Sequence, residues 1–235
     1  MDFSRFQTSA AAANKTFDVG LKNYMLQVYN YMFIGLALTG LTAFAASQSI
    51  GLMQAIYATP LKWVVMFAPL IFVFVFASKM MSMSLSTATK VFWGFSVVMG
   101  LSMSYIFLAF TGTSIAKTFF ITATMFGGLS LVGYTTKKDL TAMGSFLIMG
   151  VWGILALMIV NLFVGSAGLS NVISLAAIAI FAGLTAYDTQ KIKNIYLRMG
   201  NSETAKKLGL MGALSLYLDF INIFIHLLQF IGERR

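Results

Sequence analysis

The chain has no cysteine, one histidine and seven acidic side chains in 235 residues, and only 10% of it is charged. Without cysteine there is no disulfide, no thiolate metal site and no cysteine nucleophile. One histidine is a poor basis for a catalytic zinc, which generally takes three protein ligands, commonly histidine. No phosphate-binding glycine-rich loop of the Walker type occurs, which argues against an ATP-driven pump. The serines stand in no local signature that pairs one with a histidine base. Neither an enzymatic activity nor a cofactor is expected. The shortage of charge decides the class. A soluble domain carries roughly 25% charged residues, and this chain cannot cover a water-facing surface. Lipid is the alternative solvent.

What is present fits lipid. Hydrophobic residues make up 59% of the chain, and its mean hydropathy is +0.84. A bilayer-spanning helix needs about 20 predominantly apolar residues. Seven such segments are legible: about Tyr24–Ser47, Leu61–Ser78, Ala88–Phe110, Ile115–Tyr134, Thr141–Phe163, Leu169–Thr189 and Leu210–Ile231. Pro69 falls inside the second and should kink it, because proline removes a backbone hydrogen bond. The expected fold is an all-α integral membrane protein with one seven-helix domain over residues 24–232. Residues 1–23 lack an apolar core, so they read as a polar tail rather than a cleaved signal peptide. Small residues recur four apart, as at Gly35, Thr39 and Ala43, and at Ala179 and Gly183. In lipid such rows let backbones approach. Gly127, Gly128 and Gly133 of the fourth span read as tight packing in the same way.

The net charge of +9 belongs to helix ends. There it sets orientation and meets headgroups, so a nucleic-acid partner is not expected. Lys and Arg number three in the N-terminal tail, two between spans two and three, two between four and five, and five between six and seven. The opposite side has only Lys62 and Lys117. This bias predicts a cytoplasmic N-terminus in a multi-pass cell-membrane protein. Seven full crossings place Arg234 and Arg235 outside, whereas a seventh segment that enters and returns places them inside.

Of the acids, Asp2 and Asp18 are in the tail, Glu233 is near the other terminus, and Asp139 and Glu203 are in basic loops. Asp188 ends span six, and Asp219 lies deep in span seven. Inserting a central aspartate costs about 2.5–3.5 kcal/mol, and such residues face a bundle interior or a watery cavity. Ser215, Asp219, Asn222, His226, Gln229 and Glu233 recur at spacings of 4, 3, 4, 3 and 4, one face of a helix. That polar stripe is either a structural seam or the lining of an ion path. Asp188 has a simpler alternative, pairing with Lys191 one turn on. If the two aspartates approach each other they share a proton, since two carboxylates in one site cannot both ionise cheaply. Such a pair is a pH sensor and, deprotonated, a hard-oxygen site suited to Ca²⁺.

The run Gly183-Leu184-Thr185-Ala186-Tyr187-Asp188-Thr189-Gln190-Lys191-Ile192 resembles the sixth-span signature of the Bax inhibitor 1 family. Tyr134-Thr135-Thr136-Lys137-Lys138-Asp139-Leu140 resembles its loop after the fourth span. Leu216-Tyr217-Leu218-Asp219-Phe220-Ile221-Asn222 is similar to its seventh-span motif, and Val28-Tyr29 with Gly35-Leu36 fit its first span. The resemblance covers roughly residues 20–232 and points to bacterial members. It implies six helices around a central seventh in the bacterial inner membrane. It also implies a pH-sensitive Ca²⁺ leak whose di-aspartyl sensor matches Asp188 and Asp219, with Ca²⁺ as the transported ion. Other bacterial members bind and modulate a membrane-bound AAA protease, so a non-conducting regulator with a membrane-protein partner is the alternative. Leak-type members can hold the pore shut with a basic residue in the second span. None stands here between Lys62 and Lys79, so that latch is missing or different.

Overall fold

The computed structural model describes residues 3–235, with side chains described from residue 18 onward. The helices are α1 (Phe3–Ser47), α2 (Ile50–Tyr57), α3 (Leu61–Lys79), α4 (Leu85–Met103), α5 (Ile106–Ala109), α6 (Gly112–Thr135), α7 (Thr141–Val164), α8 (Ala167–Met199) and α9 (Glu203–Ile231). A 3₁₀ turn, Met80–Ser82, follows α3, and the described residues form no β-sheet. Seven helices are long and apolar enough to cross a bilayer: α1 from Asp18, α3, α4, α6, α7, α8 and α9. The seven segments legible in the sequence are therefore the seven spans. The first span includes the Tyr24–Ser47 segment expected from the sequence. The backbone of α1 continues unbroken toward the N-terminus, while the tail's side chains before residue 18 lie outside the described residues.

Local chemistry sets the helix starts. Ser84, Thr111, Ser166 and Ser202 each accept, through the side-chain oxygen, the N–H three residues on, at 3.1–3.2 Å. Each thereby satisfies one of the donors that a helix N-terminus leaves unpaired. Helices α7 and α8 end at Gly165 and Gly200, both with positive φ, where glycine carries no Cβ penalty. Pro69 is accommodated inside α3, which continues to Lys79.

Helix α9 is the centre. Buried residues make up 61% of its most apolar window, against 6–39% for the other spans. Its principal neighbours are α8, α1, α6 and α4, while α3 packs on α4 and α7 on α8. Six helices thus enclose the seventh in two tiers, four touching it and two outside those. The apolar effect cannot drive this, because lipid tails are as apolar as leucine, so close packing and polar contacts do the work. Gly100 receives the backbone of α1 at Thr39 and Ala43, and Gly35 receives Phe92 and Ser96, so the first-span row is a packing surface. Gly183 receives Leu147, and Gly133 lies against the Ala186 backbone. Gly127 and Gly128 differ from the sequence reading: nothing lies within 4 Å of where their Cβ atoms would be. The spacing expected them to pack, but both are exposed.

The seventh segment crosses once and does not return. Its 29 residues are one helix, about 43 Å long at 1.5 Å per residue. The chain then straps onto the α5–α6 turn. The Thr111 N–H donates to the Glu233 carbonyl and the Arg235 N–H to the Ala109 carbonyl, both at 3.1 Å. The Glu233 N–H donates to the Ser114 hydroxyl at 3.0 Å. Arg234 and Arg235 therefore lie at the end of the bundle opposite the 136–140 and 200–202 loops. The loop end also carries Lys22, Lys79 and Lys207, and is called the basic end below.

Candidate functional site

The site starts from the most polar position of the most buried helix. Asp219 sits midway along α9 and is only 4% exposed. Its Oδ2 is buried without a hydrogen-bond partner. A lone buried charge is very costly, so a carboxyl group so placed needs a proton, a cation or a donor. Asp188 reaches the same region from α8, the helix most intimately packed on α9. It is half-buried. The two carboxyl groups singled out in the sequence therefore belong to the two most extensively packed helices, with Lys191 one turn beyond Asp188 on α8.

The rest of the stripe divides. His226 is buried two turns beyond Asp219, and its Nδ1 lies 3.5 Å from the Ser174 hydroxyl. Ser174 also donates to Gln229 Oε1 at 3.4 Å. This group ties α9 to α8 away from the carboxyl pair. Asn222 Nδ2 donates to the Leu218 carbonyl of its own helix at 2.8 Å, so its donor is satisfied locally. Ser215 is half-buried, and Gln229 and Glu233 are exposed. Among the described residues, no three His, Cys, Asp or Glu side chains converge as metal ligands. His226 and the carboxyl pair are parts of two separate constellations.

Residues flanking the aspartates hold the geometry, and these the sequence reading passed over. Tyr217, two residues before Asp219, is fully buried. Its ring meets Phe92 and Phe95 edge-on, at 5.9 and 5.6 Å between centroids. Its hydroxyl lies 2.6 Å from Thr39 Oγ1, which also reaches the Gly35 and Ser96 carbonyls at 2.9 Å. This junction locks α9 to α1 and α4. Gln190, two residues after Asp188, clamps the α6–α7 loop. Its Oε1 accepts from the Leu140 N–H at 2.9 Å, and its Nε2 donates to the Lys138 carbonyl at 2.7 Å. Lys193 Nζ donates to the Tyr134 carbonyl at 2.7 Å and lies over the Tyr134 ring. In the same loop the Thr141 hydroxyl and N–H hold the Asp139 carboxyl below the usual carboxylate range. The available signal was proximity to the aspartates within the two motifs. What each side chain touches depends on helices far away in sequence.

A central helix carrying a buried carboxyl group, enclosed by six others, defines a polytopic α-helical membrane protein. The comparisons with known proteins agree. The family model described as inhibitor of apoptosis-promoting Bax1 matches residues 21–235. The chain is 46% identical to protein RP147 of Rickettsia prowazekii, over the whole chain and 99% of that relative. It is 40% identical to the inner membrane protein YbhL of Escherichia coli K12, over 92% of the chain and 94% of YbhL. The chain belongs to the Bax inhibitor 1 family.

Proposed function

We propose that this protein is a proton-gated leak pathway for Ca²⁺ in a bacterial inner membrane, with Asp188 and Asp219 as its gate. The observation that carries this reading is the unpartnered Oδ2 of Asp219, buried at the centre of the bundle on the helix against which Asp188's helix packs most extensively. Two carboxyl groups in one site share protons, so their joint charge follows pH. Deprotonated, they present hard oxygens of the kind Ca²⁺ takes. Protonated, they present none that is charged. The N-terminus is cytoplasmic in this reading, because the basic end of the bundle carries most of the cations.

The test is Ca²⁺ entry into dye-loaded proteoliposomes across mildly acidic to mildly alkaline pH, wild type beside Asp219→Asn. Flux should vary with pH in wild type and lose that variation in the variant. Unchanged pH dependence in Asp219→Asn removes the sensor role. A second reading is a non-conducting regulator of a membrane-protein partner such as a protease. It is favoured by one observation: Asp188 and Asp219 line none of the four principal cavities among the described residues. Absence of flux at every pH from folded, inserted protein, together with a stoichiometric co-purifying membrane protein, decides for it.

A further inference from the structure

Helices α1 and α6 are not packed together. A cavity of about 740 Å³ separates them on the basic half, and one of about 320 Å³ on the other half. Phe220 of α9 lines both and forms a shared floor. The charged groups of the larger cavity are at one end only. Asp18, Lys22 and Tyr134 stand toward the basic end, and Asn30, Phe33, Ala123 and Phe126 line the deeper part. The fissure opens to lipid between exposed Leu26, Phe33 and Leu131.

Three glycines make the separation unusual. Gly127 lines the larger cavity, and Gly40 and Gly112 line the smaller. None has a neighbour within 4 Å of where a Cβ would stand. Glycine inside a helix costs about 1 kcal/mol relative to alanine. At Gly100 and Gly133 that cost is matched by close approach, whereas Gly94, Gly128 and Gly153 are open like Gly127 but, unlike it, do not line this cavity. At Gly127 no protein atom approaches, so the space belongs to something other than this chain.

We propose that the fissure holds one phospholipid of the leaflet at the basic end. Its phosphate meets Lys22, its primary ammonium meets Asp18, and one acyl chain lies over Gly127 toward Phe220. Length supports a single lipid. Asp18 to Phe33 is fifteen residues of helix, about 22 Å, and one leaflet with its headgroup is about 20–22 Å. Charge complementarity selects the headgroup. Asp18 and Lys22 are one turn apart at the mouth, and neither forms an ion pair among the described residues. Together they match a zwitterion that presents an anionic phosphate and a hydrogen-bonding ammonium, as in phosphatidylethanolamine. Phosphatidylcholine has no ammonium N–H to give Asp18. Phosphatidylglycerol brings no cation to it.

The experiment is native mass spectrometry of the full-length protein in detergent, with equal amounts of phosphatidylethanolamine, phosphatidylcholine and phosphatidylglycerol of identical acyl chains. One phosphatidylethanolamine per chain should be retained, about tenfold over the other two. Asp18→Asn should keep a bound lipid and lose the preference over phosphatidylcholine. Gly127→Phe fills the groove and should lose the bound lipid while melting no lower than wild type in lipid-free detergent. Should that variant fail to fold, Gly127→Leu makes the same test with a smaller side chain. Equal retention of the three headgroups by wild type overturns the assignment. So does lipid retention by a folded Gly127 variant at the wild-type level. Neither readout involves Ca²⁺ flux, so the outcome is independent of the leak reading.

Discussion

Helices α7 and α9 are both membrane spans, but the more apolar one is outside. Helix α7 has a mean hydropathy of 2.5 in its most apolar window, and 6% of that window is buried. The corresponding values for α9 are 1.8 and 61%. A soluble protein would bury the more apolar helix. In a bilayer the order reverses, because lipid accepts apolar side chains at no loss while a carboxyl, an imidazole or a buried hydroxyl needs protein around it. Asp219, His226 and the Tyr217 hydroxyl are what make α9 central. Trp152 and Phe163 of α7 spend their area on lipid, 63% and 84% exposed.

This contrast breaks most sharply at large aromatic side chains. Tyr217→Ala should destabilise the bundle by about 3–5 kcal/mol, the cost of emptying a close-packed aromatic site. Trp152→Ala should stay within about 0.5 kcal/mol, as substitutions away from packed features do. Thermal unfolding in one detergent measures both. Equal effects would mean that α7 has a protein partner rather than lipid against it. Tyr217→Phe isolates the hydroxyl and should cost about 1 kcal/mol.

The fourth span gives the same contrast within one helix. Gly133→Leu forces a side chain into the Ala186 backbone and should cost about 1–3 kcal/mol or prevent folding. Gly127→Leu meets open space and should be neutral or stabilising by up to about 1 kcal/mol. Gln190→Ala should come next, at about 1–2 kcal/mol for its two hydrogen bonds to the α6–α7 loop. Faster amide exchange at residues 138–140 should accompany it, and unchanged exchange there would show that the loop holds itself. The smallest effect belongs to Asp139, fully exposed in that loop. Its folded pKa is lowered by Thr141, so its contribution is present at neutral pH. That contribution fades as pH falls below the ordinary carboxylate value and through the lowered one. Melting curves of wild type and Asp139→Asn should differ at neutral pH and converge in acid.

Much of this was readable from the chain. Twenty-residue apolar runs have one physical solution in a bilayer, a helix with its backbone bonds satisfied internally, so the seven spans appear in sequence as in structure. Asp188 and Asp219 stood out because a carboxyl group in such a run is costly. The stripe on span seven was legible as a face, but its division was not. Asn222 turns back on its own helix and His226 joins Ser174, and both outcomes depend on what α8 presents at each level. Thr39 read as a small spacer and proved to be the hydrogen-bonding partner of Tyr217 as well.

By itself, then, the sequence determined the solvent, the number of crossings, the uneven distribution of cations between the two ends and the two carboxyl groups at issue. These follow from local composition and from charge counted along the chain. Only the tertiary structure decided that α9 sits inside and α7 outside, and that Gly133 is a contact while Gly127 is a gap. It also decided that the chain after α9 fastens to the α5–α6 turn. The physical reason is the same in each case. Lipid and a neighbouring helix offer an apolar side chain nearly equal surroundings, so hydropathy cannot tell them apart, and the choice is made by shape and by polar groups brought together from distant parts of the chain.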